Sequence, residues 1–98
     1  MRTHDLENDF DLQRVLWACH SYWQTEPVPA QGRVICYKWV RGRYRSRFSR
    51  DFHQSQLAAL SRLGLLAKDD TSRGGHRRYY RIQNPEHVEA LLRKWSLN

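Results

Sequence analysis

The stretch "GLLAKDDTSRGGHRRYYRI" at residues 64–82 constrains the fold more than any other part of the chain. An apolar run ends in paired aspartates, breaks at a double glycine among arginines, and resumes on two tyrosines. Glycine accepts the positive backbone angles that a tight tip demands. Residues 65–68 and 77–82 therefore read as two strands joined by "DDTSRGGH". Just upstream, "SRDFHQSQLAALSRLGLL" spaces Phe52 or His53, Gln56, Leu57, Leu60 and Leu63 by three and four residues. That spacing predicts a helix over about 50–63, with Ser49 or Asp51 as cap and Gly64 as stop. Its other face carries Asp51, Ser55, Ala58 and Arg62, with Gln54 and Ser61 at the margin. These groups are small or polar, as a helix pressed into a groove requires.

Two more helices flank this unit. In "NDFDLQRVLWACHSYWQ", Leu12, Val15, Leu16, Cys19, Tyr22 and Trp23 fall on one helical face, with Asn8 or Asp9 as cap. In "NPEHVEALLRKW", Asn84 is placed to cap, Pro85 takes the first helical position, and Val88, Leu91, Leu92 and Trp95 form a stripe. The prolines and glycine of "TEPVPAQG" make a connection with room for a very short strand. "RVICYKWVRGRYRSRFSRDF" mixes two periods: Tyr37, Val40, Tyr44 and Phe48 keep helical spacing, while arginine alternates with other residues from Val40 onward. A helix over about 34–46 is the expectation. The fold class that follows is mainly α with a small β-hairpin (α+β). At 98 residues it is a single domain, 1–98.

Charge narrows the function. The formal net charge is +7, and it is segregated. Residues 33–50 hold six arginines and a lysine with no acid, and residues 71–82 hold four arginines with none. Fourteen of the seventeen basic residues are arginine, whose planar fork suits phosphate oxygens and guanine edges. A soluble surface needs net charge but not this segregation, so nucleic-acid contact is expected. The opening "MRTHDLENDF" is acidic and polar with no apolar signal region behind it, and no apolar run is long enough to span a membrane. A cytoplasmic location with no membrane partner is the default. Cys19 and Cys36 lie in apolar surroundings and read as buried thiols.

Other chemistry is not expected. Cys19 and His20 are adjacent, but Cys36, His53, His76 and His87 are scattered without the short paired spacing of a structural zinc site. No phosphate-binding glycine loop, nucleophile elbow or His-Glu-x-x-His occurs. No metal, cofactor or catalytic residue is assigned, and the chain is not expected to be an enzyme. Trp17 and Trp39 lie off their apolar stripes and, if exposed, mark a partner surface.

The order helix, helix, helix ending in Leu-Gly-Leu-Leu, basic glycine-tipped hairpin, helix resembles the winged helix-turn-helix superfamily. The resemblance rests on "SQLAALSRLGLLAKDDTSRGGHRRYYRI", residues 55–82, and "GGHRRYYRI" is similar to the return strand of PadR-like and MarR-like bacterial regulators. It implies a three-helix core with the helix-turn-helix at about 34–63, a two-stranded wing at about 65–82 and a C-terminal helix at about 85–96. It also implies that the third helix reads double-stranded DNA. Base contacts are then expected from Gln54, Ser55, Ala58 and Arg62, and phosphate contacts from Arg41, Arg43, Arg45, Arg47 and Arg50. The wing would add Arg73, Gly74, Gly75, His76, Arg77 and Arg78. A transcriptional regulator acting as a homodimer on an inverted repeat is the expected form, with Trp23 and Trp95 on the candidate dimer surface. A protein-docking module, or a binder of RNA or single strands through exposed aromatics, are the alternatives.

Overall fold

Among the described residues, apolar side chains at three- and four-residue steps have packed four α-helices with a small antiparallel sheet. The structure is a computed structural model, and it describes residues 6–25, 34–69 and 78–97. Helix α1 (Phe10–Thr25) buries Leu12, Val15, Leu16, Ala18 and Cys19. Asp9 caps it: its Oδ1 accepts from the Leu12 N–H at 3.0 Å. Both cysteines are free and buried, and burial pushes the Cys19 thiol well above its ordinary pKa.

Strand β1 (Ile35–Cys36) leads directly into helix α2 (Tyr37–Phe48). The helix starts later than the expected 34 because Ile35 and Cys36 pair with the hairpin's return strand instead. Val40 and Tyr44 are its buried residues, and Ser49 ends it in the left-handed region at φ 60°.

Helix α3 (Ser55–Arg62) is shorter than the expected 50–63. Phe52 stops the helix from beginning earlier. Its ring is buried against Tyr37 and Tyr44, at centroid distances of 5.1 and 5.0 Å, and its carbonyl accepts from the Tyr37 hydroxyl at 2.9 Å. Neither expected cap serves: Ser49 closes α2, and the Asp51 carboxylate is held by arginines. The N-cap position falls to Gln54, whose side chain makes no cap bond, and the Ser55 N–H donates instead to His53 Nδ1 at 3.1 Å. Leu57, Ala59 and Leu60 face the core. At the other end Gly64 has φ 81°, and the Gly64 and Leu65 N–H groups donate back to Ser61 and Leu60 carbonyls at 3.0 Å each. Those paired bonds are a Schellman closure, which needs a residue free to enter the left-handed region.

Strand β2 (Leu66–Asp69) pairs antiparallel with β3 (Tyr79–Ile82), in register Leu66 with Ile82 and Asp69 with Tyr79. The sheet order is β1–β3–β2, so the return strand is central and the expected two-stranded hairpin is part of a three-stranded sheet. Tyr80 and Ile82 point into the core, while Tyr79 and Arg81 alternate with them at half exposure. Helix α4 (Pro85–Lys94) begins as its sequence predicts, with Asn84 Oδ1 accepting from the His87 N–H at 3.2 Å and Pro85 in the first turn. Val88 and Leu92 join α1, α2, α3 and the sheet in one hydrophobic cluster. No helix among the described residues is long and apolar enough to cross a membrane.

Candidate functional site

The first turns of α2 and α3 and the start of β3 enclose an open groove of about 610 Å³. Its floor is Tyr37, Leu57 and Tyr80, and its rim is Lys38, His53, Gln54, Ser55 and Arg78, all exposed. Ala58 completes the wall. Three of the four residues expected to read bases, Gln54, Ser55 and Ala58, therefore meet here. Arg62, at the last turn of α3, is exposed and lies outside the groove. Gln54 sits at the N-cap of α3 rather than within it.

His53 orders this corner. Its Nδ1 lies 3.1 Å from the Ser55 N–H and 2.9 Å from Ser55 Oγ.

Lys38 is a rim residue that sequence reasoning did not single out. Its signal was present, because Lys38 lies within the basic run and is one helical turn before Arg41 and Gly42. Of the wing residues, Arg78 reaches the groove, while Arg73, Gly74, Gly75, His76 and Arg77 lie outside the described residues.

The arginines of the basic segment do not form one face. Alternation by two on a helix scatters them into two stripes. Lys38, Arg41 and Arg45 follow one stripe, and Trp39, Arg43 and Arg47 follow the next. On the first, Arg41 donates through Nε and Nη2 to the two Asp51 carboxylate oxygens at 3.1 and 3.3 Å. Arg45 Nε lies 3.2 Å from the same carboxylate. The hydrogen bonds from Arg41 hold the Asp51 carboxyl below the usual carboxylate range, and they raise the Arg41 guanidinium in turn.

The second stripe lies against α1. Arg43 donates to the Ser21 carbonyl, Ser21 Oγ and Thr25 Oγ1 at 3.1, 3.0 and 2.6 Å. Arg47 stacks over Trp17, 4.6 Å from the ring centroid, and donates to the Leu97 carbonyl at 3.2 Å. Arg50 pairs with Asp11, and its guanidinium is raised by Tyr44 and then by Asp11. All five expected phosphate contacts thus have partners within the chain.

The aromatics are also engaged. Trp17 is half-buried against Phe48 at 5.6 Å, and Trp39 stands between Tyr22 and Tyr79 at 5.7 and 5.8 Å. Phe10, 63% exposed, is the large hydrophobic side chain left open to solvent among the described residues. The α4 stripe that carries Trp95 of the expected dimer surface is largely internal, since Val88 and Leu92 are buried in the chain's own core. Leu91, Trp95 and Trp23 remain half-buried. Among the described residues no three His, Cys, Asp or Glu side chains come together as a metal-holding group. Compared with protein families, with curated proteins and with solved structures, the chain matches none.

Proposed function

We propose that this chain is a winged-helix protein that binds double-stranded DNA in a sequence-dependent way, with α3 as the recognition element and the β2–β3 hairpin as the wing. The observation that carries the proposal is the groove at the start of α3. It gathers the polar Gln54 and Ser55 and the small Ala58 between two cations from other elements, Lys38 of α2 and Arg78 beside β3. Glutamine can donate to and accept from the adenine edge together, and an alanine methyl fits a thymine methyl. Lys38 and Arg78 supply the charges for phosphates bordering such a contact. Transcriptional regulation and pairing of two copies on an inverted repeat extend this proposal, and Leu91, Trp95 and Phe10 are the apolar groups available to a second copy.

A protein-docking module is the second reading, because the groove floor of Tyr37, Leu57 and Tyr80 is aromatic and apolar. One experiment separates the two. Mobility shifts are run at physiological salt with duplex, single-stranded DNA and RNA under excess competitor, after duplex selection for a preferred site. Gln54→Ala is expected to cost about 1–3 kcal/mol on the preferred duplex and little on random duplex. Lys38→Ala and Arg78→Ala are each expected to flatten the slope of log affinity against log salt by about 0.9. Equal losses on preferred and random duplex would remove base reading, and binding no tighter to duplex than to RNA would remove the proposal.

A further inference from the structure

We propose that Asp51 occupies Arg41 and Arg45 and so weakens the phosphate contact that this face of α2 can make. The inference rests on the DNA-binding reading above and assigns a role to a side chain that need not touch DNA. Arg41 and Arg45 are one turn apart on α2, so their guanidinium groups can close on one anion. That anion is already supplied. Asp51 is the first acid after the run of basic residues 33–50, and it sits in the short link that the buried Phe52 ring anchors between α2 and α3. Its carboxylate receives two bonds from Arg41, at 3.1 and 3.3 Å, and lies 3.2 Å from Arg45 Nε. The guanidinium fork fits carboxylate and phosphate oxygens alike. The internal carboxylate therefore occupies the position a phosphate would take.

Exposure makes the arrangement displaceable. The side chains of Arg41, Arg45 and Asp51 are 42%, 57% and 46% exposed, so a phosphate can approach all three. Ion pairs this exposed are weak, and a duplex docked through the groove can replace Asp51 at little cost. The replacement is needed on any duplex, so it lowers affinity without regard to sequence. The Asp51 charge set free also gathers counterions, which reduces the net release that drives non-specific binding. Two exposed arginines of α2 are thus muted in phosphate contact.

The test compares the parent with Asp51→Asn and Asp51→Glu on random and preferred duplex across a salt series. Asp51→Asn should bind random duplex about two- to five-fold more tightly, the range an exposed pair spans. Its salt slope should steepen by up to about 1.8, for two freed phosphate contacts. The ratio of preferred to random affinity should stay unchanged, Asp51→Glu should behave as the parent, and Arg41→Gln with Arg45→Gln added to Asp51→Asn should cancel the gain. Unchanged or weaker binding of Asp51→Asn to random duplex overturns the proposal, since it would mean that Asp51 aims the arginines or is idle. If Asp51→Asn is unstable, Arg41→Gln with Arg45→Gln in the parent decides: a nearly unchanged slope on random duplex supports the mute, and flattening by about 1.8 refutes it. Inorganic pyrophosphate, followed on the arginine Nε–H resonances, separates this failure from failure of the DNA reading. Shifts at Arg41 and Arg45 in Asp51→Asn but not in the parent support the clamp even if no duplex binds. Absence of shifts in the variant overturns it even if duplex does.

Discussion

Gly42 offers a perturbation that should raise stability and lower binding at once. It lies in the interior of α2, exposed, and a Cβ added there meets nothing within 4 Å. It is also absent from the positive-φ glycines, so alanine fits its backbone. Glycine in a helix interior costs about 0.5–1 kcal/mol relative to alanine, because more backbone freedom is lost on folding. With no contact to subtract from that difference, Gly42→Ala should gain most of it. In a domain of this size about 1 kcal/mol corresponds to roughly 4–8 °C in Tm. Urea denaturation should show a higher midpoint with an unchanged m-value, since the surface exposed on unfolding hardly changes. Gly42 also shares its stripe with Lys38 and Arg45. If a phosphate chain runs across that stripe, the new methyl stands in its path, and duplex affinity should fall while the salt slope is preserved. A lower urea midpoint would refute the reasoning about α2. A gain in stability with undiminished duplex binding would move the phosphate path off this stripe.

Further expectations concern the frame around the groove. Gly64→Ala should lose about 1–2 kcal/mol by urea denaturation, the cost of a left-handed backbone at a residue bearing Cβ, because the Schellman closure needs φ 81° there. Leu60→Ala, at a fully buried position on the inner face of α3, should lose about 2–5 kcal/mol and weaken all duplexes alike through unfolding. Asp51 predicts a pH effect with a definite sign: its pKa is lowered in the folded chain, so its contribution is complete above the ordinary aspartate value of about 3.9 and disappears as pH falls through the depressed one. The stability difference between parent and Asp51→Asn should therefore be flat from about pH 5 to 8 and close only below about pH 4. Any trend within the flat range would show that another group titrates with the clamp.

What could be read in advance was whatever the chain encodes locally. Leu12, Val15, Leu16 and Cys19 announced the buried face of α1 by spacing alone, and Asn84-Pro85 and Gly64 marked helix ends through backbone requirements that hold in any context. Strand β1 was hidden because two residues carry no period, and Ile35 and Cys36 are strand only by virtue of Tyr80 and Tyr79. The start of α3 was misplaced because two competitions are tertiary: Phe52 leaves the helix to fill the space beside Tyr37 and Tyr44, and Asp51 answers to α2 rather than to its own N-terminus. The groove was half legible. Gln54, Ser55 and Ala58 followed from the outer face of a helix, whereas Lys38 and Arg78 join them only when three elements meet. Likewise the basic run was visible as charge, but nothing in its composition tells Arg47, lying on Trp17, from Arg41, facing Asp51.

The central position of β3 has a consequence for the order in which the molecule assembles and opens. Its pairing with β2 closes a short stretch of chain, from Asp69 to Tyr79, but its pairing with β1 joins Ile35 to Tyr80 across α2 and α3. Each doubling of a closed loop adds about 0.6 kcal/mol of entropic cost, so the hairpin can form early and β1 docks after the helices are in place. Strand β1 is held to the sheet by two residue pairs, against four between β2 and β3, and by the complete burial of Ile35 and Cys36. Tyr37 and Lys38, the first residues of α2 and two walls of the groove, follow directly from that strand. The short pairing of β1 is thus coupled through the chain itself to the shape of the groove, and amide exchange along β1 and β3 would report how long it keeps that shape.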